Sequence, residues 1–130
     1  MSPKWLTSLV RARQLQEDSA KQHLATAQRV ARTAHARVRY DADRLDSLIA
    51  ADATDSAGAF VAAAVALQAA AATHAAASRA AERASYEVGT QRDVLTDAAR
   101  ARRTSEELRD RHLAVEQARL AALAQRDLDE

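Results

Sequence analysis

From Leu6 onward the apolar residues recur at alternating steps of four and three. Leu6, Val10, Ala20, Leu24, Ala27, Ala31, Ala34, Val38, Leu45 and Leu48 fall on that series, with Arg13, Glu17 and Asp41 in the same register. Steps of this kind set side chains along one stripe of an α-helix, and over many turns they make a coiled-coil seam with polar interruptions. Ser2 followed by Pro3 supplies a start, since serine caps a helix and proline suits its first position. No second proline exists, and the first glycine is Gly58. The pattern predicts helix 1 over about 3–53, and fifty residues at 1.5 Å each span about 75 Å. Such a helix calls for a partner strand.

The segment Asp52-Ala-Thr-Asp-Ser-Ala-Gly58 carries the turn signal. Thr54, Asp55 or Ser56 can cap the next helix, and Gly58 can relax the backbone over a turn of about 54–58. So short a connection makes the helices antiparallel neighbours. Pairing about residue 56 sets Leu45 by Leu67, Val38 by His74, and Trp5 by Glu107 and Leu108. Residues 109–130 then overhang by roughly 30 Å.

Helix 2 is predicted over about 59–128. Its alanine block, 59–77, faces the second half of helix 1 and should give a thin, close-packed end. Val88, Val94, Leu95, Leu108, Leu113, Val115, Leu120 and Leu123 keep no single heptad register, which implies a local change of winding. The fold class expected is all-α: one domain, residues 1–130, forming a long antiparallel two-helix coiled-coil hairpin with a protruding C-terminal helix. The alternative ends helix 2 at Tyr86-Glu-Val-Gly-Thr90, with Thr90 capping a third helix in a three-helix bundle broken near Gly89. An interior glycine costs only about 1 kcal/mol, which favours the continuous helix.

Composition supports the helical reading. Alanine occurs 35 times and arginine 17 times in 130 residues, and both are strong helix formers. The net charge is +1, so the low share of large apolar residues points to an alanine-lined helical assembly in place of disorder. Stability from one thin seam should be modest and helped by a partner. Residues 58–78 are uncharged, long enough for a membrane span. Alanine drives insertion weakly, and the first residues lack the apolar core of a signal peptide, so a soluble, cytoplasmic chain is expected.

Charge is uneven: residues 1–40 carry eight basic and two acidic side chains, residues 41–57 one and five. The simple reading is a solvated coiled-coil face. Nucleic-acid binding is not expected, because four aromatic residues supply no stacking platform. His23, His35, His74 and His112 lack the spacing of a zinc-binding helix. Two glycines build no phosphate loop, and no serine sits on a nucleophile turn. Without cysteine there is no disulfide or thiolate metal site. No enzyme activity, cofactor or metal is expected.

Three segments resemble the FliJ family of flagellar export proteins. They are Leu6-Thr-Ser-Leu9 followed by Arg13, Glu17, Asp18 and Ala20; Glu107-Leu108-Arg109-Asp110-Arg111-His112; and the terminal Leu128-Asp129-Glu130. The resemblance covers nearly the whole chain, although the alanine-rich 58–78 departs from the bulkier stretch of that family. It implies an antiparallel coiled coil, similar to the central stalk of rotary ATPases, that engages the hexameric export ATPase and the export-gate membrane protein, with export chaperones as further partners. Such a protein is cytoplasmic and reaches the inner face of the membrane only through partners. The resemblance puts Leu6, Leu9, Arg13, Leu108, Arg111, His112, Leu120 and Leu123 at the ATPase end, and Tyr40, Arg44 and Leu48 toward the gate. For Arg13 and Glu17 an intrahelical pair is an adequate account, whereas Arg111 and His112 have no evident seam role. Two other readings stay open: a secreted helical hairpin of a specialised secretion system, and a generic self-associating coiled-coil scaffold.

Overall fold

The computed structural model describes residues 3–51 and 56–130. They form two α-helices and, among the described residues, no strand: α1, Lys4–Ala50, and α2, Ala57–Asp129. At the start of α1 the Pro3 carbonyl accepts the N–H groups of Leu6 and Thr7 at 3.1 and 3.3 Å. The expected caps Ser2, Thr54 and Asp55 lie outside the described residues. Ser56 caps α2, its Oγ accepting the Ala59 N–H at 3.0 Å while its carbonyl accepts the Phe60 N–H at 3.0 Å. That satisfies donors which a helix N-terminus otherwise leaves unpaired.

Three expectations about the backbone are corrected. Helix 1 ends at Ala50, and Ala51 is already outside it. Gly58 relaxes no turn; it is the second residue of α2, with φ in the ordinary helical range. The three-helix alternative fails, because α2 runs through Gly89 unbroken and the Thr90 hydroxyl donates back to the Tyr86 carbonyl at 3.3 Å. One glycine costs less than the neighbouring turns contribute, so propagation continues across it.

The chain divides into two compact units, Met1–His23 with Arg92–Glu130, and Leu24–Gln91. In the second unit the covered face of α1 is Leu24, Ala27, Ala31, Ala34, Val38, Asp41, Leu45 and Leu48. Ala27, Ala31 and Val88 form its core, with Leu24 and Ala84 packed against them. The α2 positions covered here include Ala63, Leu67, Ala70, His74, Ala77, Ala81, Ala84, Val88 and Gln91, at unbroken steps of four and three, with Ala59, Ala75, Ser78 and Ala80 half-buried besides. Close packing of the alanine block is not found. None of residues 57–80 is fully buried, and cavities remain along it, because a methyl group does not fill the space a leucine would.

In the first unit the covered face of α1 is Leu6, Val10, Arg13, Glu17 and Ala20, and Leu6 is 1% exposed. Opposite them α2 covers Leu95, Ala98, Arg102, Ser105, Arg109, His112 and Glu116, again at steps of four and three. The expected change of winding in α2 is therefore absent. Leu108 and Val115 mislead because they stand off the covered stripe, 44% and 67% exposed, while polar residues occupy it. Beyond Glu116 every residue to Glu130 is exposed.

Register differs from the symmetric pairing about residue 56. His35 meets Ser85 and Glu17 meets Arg102, each pair further along α2 than the symmetric scheme places it. Side chains on a helix lean toward its N-terminus, so in antiparallel neighbours a contact on α2 comes from a residue further along the chain. The lean accounts for the direction of the offset and part of its size. Arg109, His112, Leu113 and Glu116 are half-buried, so the uncovered end of α2 begins at Gln117, where 109 was expected.

Candidate functional site

The polar cluster of the first unit begins with Glu17, a carboxylate on the covered stripe of α1. Its residue is 8% exposed, and a lone ionised carboxylate there would be costly. Arg102 of α2 answers it: Nε donates to Glu17 Oε2 and Nη1 donates to Glu106 Oε2 at 2.9 Å. Lys21 adds a looser contact to Glu17 Oε1 at 3.7 Å. Hydrogen bonds to Glu17 and then Glu106 raise the Arg102 pKa further above its ordinary value. Buried Ser105 donates to the Ala101 carbonyl at 2.9 Å, so its hydroxyl is satisfied within α2. The arrangement fixes which residue faces which; nothing in it activates a nucleophile.

Arg13 does not pair with Glu17 as expected. Its Nη1 donates to Gln16 Oε1 at 2.9 Å, because Glu17 is taken by Arg102 and Lys21. The other ATPase-end candidates separate by exposure. Leu6 is buried, and Leu9, Arg13 and His112 are half-buried, His112 on the covered stripe despite its lack of an evident seam role in the sequence. Leu108, Arg111, Leu120 and Leu123 are exposed. Trp5, expected beside Glu107 and Leu108, is 61% exposed. On the exposed end of α2, Arg119 Nη2 donates to Glu116 Oε1 at 2.6 Å. That hydrogen bond holds the Glu116 carboxyl below its ordinary value of 4.5 and raises Arg119.

The gate-facing candidates lie in the second unit. Tyr40 is exposed, with the Arg37 guanidinium 5.4 Å from its ring centre. Arg37 Nε also donates to Asp41 Oδ2 at 3.1 Å, and the Asp41 side chain is 4% exposed. Arg44 is exposed and Leu48 half-buried. Arg44 and Leu48, with Arg37 and Asp41, line a cavity of about 310 Å³ whose other wall is Ala66, Ala69, Ala70 and Thr73. Sequence reasoning missed Arg37 and Asp41 as part of this surface. The signal was present in their i, i+4 spacing, which brings an arginine onto a seam carboxylate.

Of the histidines, His35 shares a 2.9 Å hydrogen bond with Ser85 Oγ. No three His, Cys, Asp or Glu side chains gather as a metal site among the described residues. By length and composition α2 is apolar enough to cross a membrane, and little of its apolar stretch is buried. Comparison with protein-family models, with curated protein sequences and with solved structures gave no match to this chain.

Proposed function

We propose that the chain is an antiparallel two-helix coiled-coil hairpin acting as a non-enzymatic adaptor of the flagellar type III export apparatus. Its C-terminal end engages the export ATPase ring, its flank near Tyr40, Arg44 and Leu48 faces the export gate, and it works in the cytoplasm at the inner face of the membrane. The observation that carries this reading is where the covered stripe of α2 stops. Steps of four and three run from Ala63 to Glu116, and beyond them residues 117–129 remain helical and exposed. A helical stretch this short with no packed face is marginal in water, and an apolar partner surface stabilises it. Leu120, Leu123 and Leu128 supply apolar contacts there, and the resemblance to FliJ proteins supplies the partner. Leu6 contributes as a seam residue that holds the base of this end.

The test uses the purified chain and its cognate export ATPase. The full chain should stimulate ATP hydrolysis, and a chain ending at Glu116 should fail to do so while melting at nearly the same temperature. Equal stimulation by the shortened chain would move the contact elsewhere. No stimulation by the full chain would remove the reading.

A further inference from the structure

Along the covered stripe of α2, residues repeat in kind at heptad steps. In the second unit Ala63, Ala70, Ala77 and Ala84 form one such series, all half-buried. A slide of one heptad, about 10.5 Å, sets alanine where alanine stood before. That series does not tell one register from the next. In coiled coils a polar seam residue ordinarily does so. Here it is Glu17, 8% exposed and held by Arg102. Arg109 stands one heptad beyond Arg102 on the same stripe, half-buried, with only a loose contact to Asp110 Oδ1 at 3.5 Å. Glu17 thus has two arginines within one step of each other along the seam.

Other positions of the first unit fit the same step. Leu113 and Glu116 are the last half-buried residues of α2, and one heptad further stand Leu120 and Leu123, both exposed. Moving the cover by that step places it on two leucines. Two losses account for the register observed. The place of Leu95 passes to Arg102, and the Arg102–Glu106 hydrogen bond has no counterpart at Arg109, which has Leu113 four residues on.

We propose that α1 and α2 have a second seam register, one heptad along α2, in which Arg109 holds Glu17 and the start of α1 covers Leu120 and Leu123. The step lengthens the connection between the helices by drawing on the first turns of α2, where no residue is fully buried. Each helix is continuous from one unit into the other, so a shift at Glu17 carries the alanine series with it. Intermediate positions are disfavoured because they strand a covered carboxylate. In the second register the free end loses its exposed leucines. That this closes the ATPase contact rests on the export reading, whereas the shift itself does not.

Cysteine pairs read the register. His35 and Ser85 touch in the first register, and in the second Ser85 meets Ala42, one heptad along α1. The dilute chains carrying His35→Cys with Ser85→Cys, or Ala42→Cys with Ser85→Cys, are oxidised while circular dichroism follows helix content. In the native background the His35 pair should close faster. Arg102→Leu strands Glu17 and should move the ratio of the two rates about tenfold toward the Ala42 pair. Adding Arg109→Leu should remove that shift. Two charge-swapped chains keep the test if Arg102→Leu loses helix. Glu17→Arg with Arg109→Glu should favour the Ala42 pair, and Glu17→Arg with Arg102→Glu the His35 pair. An unchanged ratio in helical Arg102→Leu, or faster closure of the His35 pair in both swapped chains, would overturn the proposal. ATPase stimulation is a separate readout, so either result leaves the export reading to its own test.

Discussion

Leu6 and Glu17 lie on the same covered stripe of α1, yet they hold the first unit in different ways. Leu6 is 1% exposed, and Leu6→Ala should cost about 2–3 kcal/mol in a chemical denaturation, toward the low end for a leucine because a thin seam relaxes more easily than a thick core. Glu17 stabilises only while Arg102 answers it. Arg102→Leu should lower the melting temperature, and adding Glu17→Gln should recover part of the loss, since the stranded carboxylate causes much of it. The Glu116–Arg119 pair gives the pH dependence. Glu116 is depressed below 4.5 in the folded chain, so the pair contributes above 4.5 and is lost as pH falls through the depressed value. A carboxyl titration by NMR should place the Glu116 midpoint below 4.5, and Arg119→Gln should return it there. The α1 stripe was legible residue by residue because most of it is apolar. The partner of Glu17 was not, because arginine stems cover apolar surface while their charge reads as solvent-facing.

At the scale of elements, α1 and α2 differ in how openly they state their covered faces. Every α1 position on the four-three series is buried or half-buried, from Leu6 to Leu48. In α2 the same series runs through Ala, His74, Gln91, Arg102, Ser105, Arg109 and His112, while Val94 and Leu108 stand outside it. Large apolar residues were therefore a poor guide to α2, and the spacing of covered positions is the better one. Gly89 bears on this directly. A Cβ added there meets nothing within 4 Å and φ is helical, so Gly89→Ala should raise stability by about 1 kcal/mol. A loss of stability on that change would point to a break in α2. Ser56→Ala should cost about 1 kcal/mol by removing the cap on Ala59.

At the scale of the whole molecule, the proposed hairpin makes α1 and α2 of one chain partners within each of the two units. In the reading proposed above, function follows from the exposed residues 117–130. The helical class and the interval between α1 and α2 were legible from the distribution of Pro3, Gly58 and Gly89. Register was not, because a turn locates the crossing point while side-chain lean shifts the contacts. The absence of native cysteine allows a direct measurement, in which cysteines replace His35 and Ser85, whose side chains touch, and the dilute chain is oxidised. The account predicts rapid formation of a bond within single chains, with helix content unchanged and little crosslinking when Ser85→Cys is exchanged for Ala77→Cys. Preferential bonding between chains, or faster bonding from His35→Cys to Ala77→Cys, would contradict it.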